Sequence, residues 1–261
     1  MFKFSSRGLA MGLAVAIALS SVAARADDLA DVKKSGELTA AMSGAYPPFN
    51  FVDASTNQVV GFDVSIANAL AQKLGVKAKT VTTAWDGIIA GLLAKKYDSI
   101  VGSMTITPER EKVVDFVGPY YHAGRGVFVT EGSNVKTLTD LKGKTAAVTL
   151  GETHEKWAKQ QDGWTVKTYK GLPELLLELK SGRIDAIVAD NVAVLVAVKS
   201  SGDKVRQLET PNIEGGSVGI GIAIRKGNPE LKAAMQKALD DIMADGTYEK
   251  IAQQWIGRDI R

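Results

Sequence analysis

From residue 37 onward, short stretches with strand character alternate with helical ones, and this alternation restricts the fold more than any other feature of the chain. Phe62, Ile66, Leu70 and Leu74 recur every four residues and Gly75 follows as a stop, which predicts an amphipathic helix over 62–74. Strands are expected at 37–42, 76–81, 99–103, 144–149, 165–169 and 186–189. Further helices are expected at 86–95 and 173–180, from Asn228-Pro229 to near Gly246, and after a Thr247 cap. Strands separated by helices in this way predict an α/β architecture.

Residues 1–26 stand apart from that pattern. Lys3 and Arg7 precede an apolar run over 9–19, and Ala24-Arg25-Ala26 has the small-x-small form of a secretory cleavage site. The expectation is a signal peptide cut after Ala26, a mature chain starting at Asp27, and a periplasmic location. The leader carries three basic residues and no acid, so the formal net charge of +3 falls to 0 without it. A balanced chain gives no reason to expect nucleic acid or an anionic membrane surface as partner. With no cysteine, stability rests on the core alone, and thiolate chemistry is excluded. His122 and His154 are the only histidines and have no metal-ligand spacing; neither a metal nor a cofactor is expected.

The stretches LLAKKYDSIVGS (92–103) and LELKSGRIDAIVAD (177–190) both run from a leucine-rich helix through a basic turn to a strand. Aligning Asp98 with Asp185 sets Ser103 opposite Asp190. This suggests two lobes with similar local wiring, each offering a residue beyond a strand end, where open α/β sheets bind ligands. The glycine-rich stretches 118–128 and 211–222 read either as crossings between lobes or as surface loops. In SMTITPER (103–110), Thr107-Pro108 marks a helix start. Arg110 then lies in a first turn already made positive by backbone N–H groups. It either pairs with Glu109 or Glu111 at the surface or awaits an external anion.

YPPFNF (46–51), GFDVSIANALAQKLG (61–75), WDGIIAGL (85–92), YDSIVGSMTITPERE (97–111), VDFVGPYY (114–121) and ADGTYEKIAQQW (244–255) together resemble the periplasmic solute-binding proteins of polar amino-acid ABC transporters (extracellular solute-binding protein family 3). The resemblance spans the mature chain. It implies a two-lobed type II periplasmic-binding-protein fold with a ligand cleft between lobes and two crossover segments. Lobe one would comprise 27–122 and return at 218–261, with lobe two at 123–217. It further implies a non-catalytic monomer that binds a free amino acid and docks on the membrane permease of an ABC importer.

By the same resemblance, Arg110 grips the ligand α-carboxylate, Asp190 the ammonium, and Ser103, Thr105, Thr149 and Thr153 add polar contacts. Ser43, Tyr46, Trp85 and His154 would line the side-chain pocket, with Tyr46 and Trp85 as flat apolar faces. Relatives that take cationic amino acids often carry aspartate where Ser43 stands, so the expected ligand is polar and uncharged, or cystine-like. Glu152 departs from the small residue common after the glycine and is expected to point to solvent; His154 is read as a surface histidine near the pocket. The alternative is a cyclohexadienyl or arogenate dehydratase-like enzyme on the same scaffold.

Overall fold

Two five-stranded sheets carry the chain, and they repeat one another. The computed structural model describes residues 27–209 and 217–261. The expected leader and the 211–216 portion of the second expected crossing therefore lie outside the described residues. The first sheet runs in the order Lys77–Thr82, Glu37–Met42, Ser99–Thr105, Val218–Arg225, Val114–Ala123. Its first three strands are parallel, and Val218–Arg225 pairs antiparallel with both neighbours. The second sheet runs Thr165–Tyr169, Thr145–Thr149, Ala186–Asp190, Arg125–Thr130, Val205–Gln207. Again three strands are parallel and the next is antiparallel to both its neighbours. This is the two-lobed α/β fold expected from the sequence.

The local similarity has a physical counterpart. The Thr39 N–H donates to Asp98 Oδ2 at 2.9 Å, and the Thr145 N–H to Asp185 Oδ2 at 2.8 Å. In each sheet an aspartate just before the third strand holds the second, the middle one of the three parallel strands. Central strands are buried on both faces: every residue of Ser99–Thr105 and of Ala186–Asp190 is buried, as helix-covered parallel sheets require. Beside the first sheet, Phe49 stacks on Tyr121 at 4.9 Å and Phe62 on Tyr120 at 6.1 Å.

Several local expectations are corrected. The stretch 118–128 is strand almost throughout, because Val114–Ala123 belongs to the first sheet and Arg125–Thr130 to the second. The change of sheet is confined to Gly124, since its neighbours satisfy their backbone groups in sheet ladders. The helix expected over 86–95 begins as a 3-10 turn at Trp85–Gly87 and continues only over Ile88–Leu93. Thr247 is the first helical residue rather than the cap; Gly246, at φ 81°, takes the cap position. The expected strand ends 103 and 189 extend to Thr105 and Asp190, which carries both sheets to the facing edge where side chains converge.

Candidate functional site

All ten residues singled out from the sequence (Ser43, Tyr46, Trp85, Ser103, Thr105, Arg110, Thr149, Thr153, His154 and Asp190) line one cavity. Elements of both sheets build it. Thr107 caps the short helix Pro108–Glu111, its Oγ1 accepting the Arg110 N–H at 3.2 Å. That turn sends the Arg110 side chain back over the end of Ser99–Thr105, where Nη1 donates to the Thr105 carbonyl at 2.9 Å. The guanidinium lies 5.8 Å from the Trp85 ring centroid. Among the described residues, no carboxylate oxygen lies within 4.0 Å of it, and Glu109 turns instead to Lys156 at 3.7 Å. The surface pairing with Glu109 or Glu111 is not formed. Burial lowers the Arg110 pKa, opposed by the Glu152 and Asp190 carboxyls.

Asp190 occupies the N-cap position of helix Asn191–Ser201 but makes no side-chain cap bond. Its carboxylate turns into the cavity. Tyr46 donates to Oδ2 at 2.6 Å from the other lobe, and His154 Nε2 stands 3.2 Å from Oδ1. Burial works to raise the Asp190 pKa; His154, the Tyr46 hydroxyl and Arg125 outweigh it and hold the group below the usual carboxylate value. Tyr46 is thus a hydrogen-bonding partner of Asp190 as well as an apolar face, and its ring stacks on Phe49 at 5.7 Å.

His154 is not a surface group: it is 4% exposed. Arg125 Nε donates to its Nδ1 at 3.3 Å, which leaves the ring hydrogen on Nε2 for Asp190. The Arg125 guanidinium also sits 4.9 Å from the Trp157 ring centroid. Arg125 was not anticipated, because its stretch reads as a glycine-rich crossing. Glu152 does not face solvent either. Its side chain is 14% exposed and its Oε2 lies 4.0 Å from His154 Nε2. Burial pushes its pKa up to about 7, with His154 and Arg110 opposing and Asp190 adding to the rise.

Ser103 is held at φ 61°, a left-handed conformation uncommon outside glycine. Its hydroxyl is directed to Asp63 Oδ2 at 2.8 Å, and its N–H donates to the Tyr120 hydroxyl at 2.9 Å. Asp63 also accepts from Tyr120 at 2.6 Å and Asn50 Nδ2 at 2.7 Å. Burial raises Asp63 to about 6 in spite of these donors. Asn50 in turn accepts the Ser43 hydroxyl at 3.0 Å. Thr149 ends its strand and is buried. Thr153 opens helix Thr153–Ala158, where backbone N–H groups lack intrahelical acceptors. Among the described residues no cluster of three or more His, Asp or Glu has the arrangement of a metal site. No helix among them is long and apolar enough to cross a membrane.

A guanidinium and a carboxylate facing one cavity from opposite sheets suit a small dipolar ligand, and known proteins bear on that geometry. The chain is 38% identical over 249 residues to the L-cystine-binding protein TcyJ of Escherichia coli (strain K12), covering 94% of this chain and 92% of that protein. It is 37% identical over 219 residues to ABC transporter arginine-binding protein 1 of the same organism, covering 82% and 88%. The crystal structure of the ancestral amino acid-binding protein AncCDT-1, a precursor of cyclohexadienyl dehydratase, matches with a TM-score of 0.80 at 37% identity, over 87% of this chain and 99% of that one. Residues 38–258 match the family described as bacterial extracellular solute-binding proteins, family 3. With most of its length matched by that family, and by relatives above 30% identity over nearly their whole lengths, the chain belongs to the bacterial extracellular solute-binding proteins, family 3.

Proposed function

We propose that this protein is a non-catalytic carrier that binds one free amino acid between its lobes and delivers it to the membrane permease of an ABC importer. Arg110 takes the α-carboxylate, supported by Thr105 and the helix N-terminus at Thr153. Asp190 takes the α-ammonium. Ser103 and Thr149 shape the floor, while Ser43, Tyr46, Trp85 and His154 surround the side chain. The observation that carries this reading is the half-buried Arg110 guanidinium, which lines the cavity without a carboxylate partner among the described residues, with Asp190 opposite on the other lobe. A planar fork of N–H donors matches a carboxylate in two contacts. Because the two charges come from different lobes, a zwitterion favours the closed arrangement.

The preferred ligand is a polar uncharged amino acid or cystine. Ser43 supplies no acid for a cationic side chain, and of the two E. coli relatives TcyJ, at 38% identity, is named for cystine. The protein works as a monomer in the periplasm, after cleavage following Ala26. A thermal-shift screen against the common amino acids, cystine and the D-enantiomers tests this, because a ligand held only by the folded form raises the Tm. A flat screen overturns the reading. The dehydratase reading draws on one observation, the buried Glu152 carboxyl at the cavity, which has the makings of a general acid. Incubation with prephenate or arogenate is expected to yield no aromatic product by absorbance.

A further inference from the structure

Glu152 Oε2 is fully enclosed and accepts no hydrogen bond. It is the one such buried side-chain oxygen among the described residues that belongs to a residue lining the cavity. A buried acceptor without a donor is costly, so it marks a place where a donor is wanted. Its neighbours explain why the protein does not supply one. His154 has a single N–H to give, and Nε2 stands nearer Asp190 Oδ1, at 3.2 Å, than Glu152 Oε2, at 4.0 Å. His154 Nδ1 is engaged by Arg125. The Tyr46 hydroxyl is spent on Asp190. Arg110, from the other lobe, is not within ion-pairing distance, and Lys156 is drawn outward to Glu109. The Thr149 hydroxyl eases the Glu152 pKa downward but leaves Oε2 without a donor.

We propose that Glu152 is a second acceptor, beside Asp190, for the cationic nitrogen of the bound amino acid, and that binding expels a proton from its carboxyl. The inference rests on the amino-acid reading above. Two carboxyls around one imidazole N–H disfavour joint ionisation, so one of them keeps its proton near neutrality. Burial and the Asp190 charge make Glu152 that group, at about 7. An ammonium brings a positive charge and three N–H donors between the two acids. Glu152 then ionises, accepts one N–H, and its proton passes to solvent. Affinity therefore falls as pH drops below 7. The opposite sign would hold if Glu152 were a rival of the ligand carboxylate for Arg110, because binding would then take up a proton.

The experiment is calorimetry with whichever of L-cystine, L-glutamine and L-arginine raises the Tm most. Titrations at pH 6 and 8, in buffers of different ionisation enthalpy, count protons. The expected result is release of about one proton per ligand at pH 6 and a small fraction at pH 8, with Kd weakening about tenfold per pH unit below 7. Glu152→Gln is expected to abolish the release and flatten the profile. Should that variant misfold, the wild-type proton count decides alone. Binding with no proton change, or with proton uptake, overturns this inference and leaves the amino-acid reading standing. If no amino acid of the full thermal-shift screen binds, both fall.

Discussion

In the proposed carrier reading, Arg110 is the single side chain that bears most directly on binding. It is half-buried and carries a charge that the described residues leave without a carboxylate partner. Arg110→Ala is expected to cost every amino-acid ligand about 2–5 kcal/mol, the size of a lost buried charge-assisted contact; calorimetry of the variant at parent affinity would refute the assignment. Asp63 offers a second test, in stability. Its folded pKa of about 6 lies above its ordinary 3.8 because burial outweighs the donors from Tyr120, Asn50 and Ser103. The folded state therefore binds the proton more tightly than the unfolded chain. The stability linked to this group is fully present below pH 4, falls as pH rises towards 6, and stays level above. Urea melts at pH 4.5 and 6.5 should show Asp63→Asn losing that part of the pH dependence. Arg110 was legible in the sequence because a cation in a first helical turn is locally out of place. Glu152 and His154 were misread because the groups around them, Arg125 and Asp190, come from distant parts of the chain, and no local pattern encodes that.

Among the helices, starts and stops were legible where glycine or proline punctuates them, Pro229 included, whereas helix Asp28–Ser35 was not expected and the cap it shares with the helix at Pro229 was not visible. Helix Pro229–Ala244 follows Asn228, which makes no side-chain cap bond of its own. Asp27 caps it instead, accepting the Glu230 and Leu231 N–H groups at 2.9 and 3.0 Å. The same carboxylate accepts the Leu29 N–H at 3.0 Å and so caps helix Asp28–Ser35 as well. Asn228 returns the bond, its Oδ1 accepting the Asp28 N–H at 2.8 Å. Two helices about two hundred residues apart in sequence thus exchange caps, a link invisible to any window of local spacing. Asp27→Ala removes acceptors from both helices at once. The expected loss is about 2 kcal/mol, the upper end for one cap, read as a lower urea midpoint with an unchanged slope. A parent-like midpoint would mean that water replaces the carboxylate without cost. The glycine-rich stretch 118–128 was ambiguous for the related reason that its strand pairing is long-range.

Whether the two lobes can meet depends on contacts that neither needs for its own folding. Tyr46 and Asp190 supply an attractive contact across the cavity, and Gly171 supplies clearance. Gly171 precedes helix Leu172–Lys180, and its φ of −178° is extended backbone open to any residue. A Cβ there would sit 2.5 Å from the Ala45 carbonyl oxygen and 2.7 Å from the Ala45 Cβ, on the other lobe. Both distances are shorter than real contacts, and a backbone carbonyl has little freedom to retreat. Gly171→Ala should therefore leave each lobe intact while propping them apart. Without amino acid, its Tm should stay near that of the parent, as for a substitution that touches no core. Closure then carries an overpacking cost of about 1–3 kcal/mol, equivalent to roughly 5- to 150-fold in Kd. Small-angle scattering at saturating ligand should give a larger radius of gyration than the parent. Tyr46→Phe separates the two effects, because it removes attraction without adding bulk: it should open the protein in the absence of amino acid and leave the saturated form as closed as the parent. If Gly171→Ala binds with parent affinity and closes to the parent dimension, contact at Ala45 does not limit the approach of the lobes, and recognition does not depend on their meeting there.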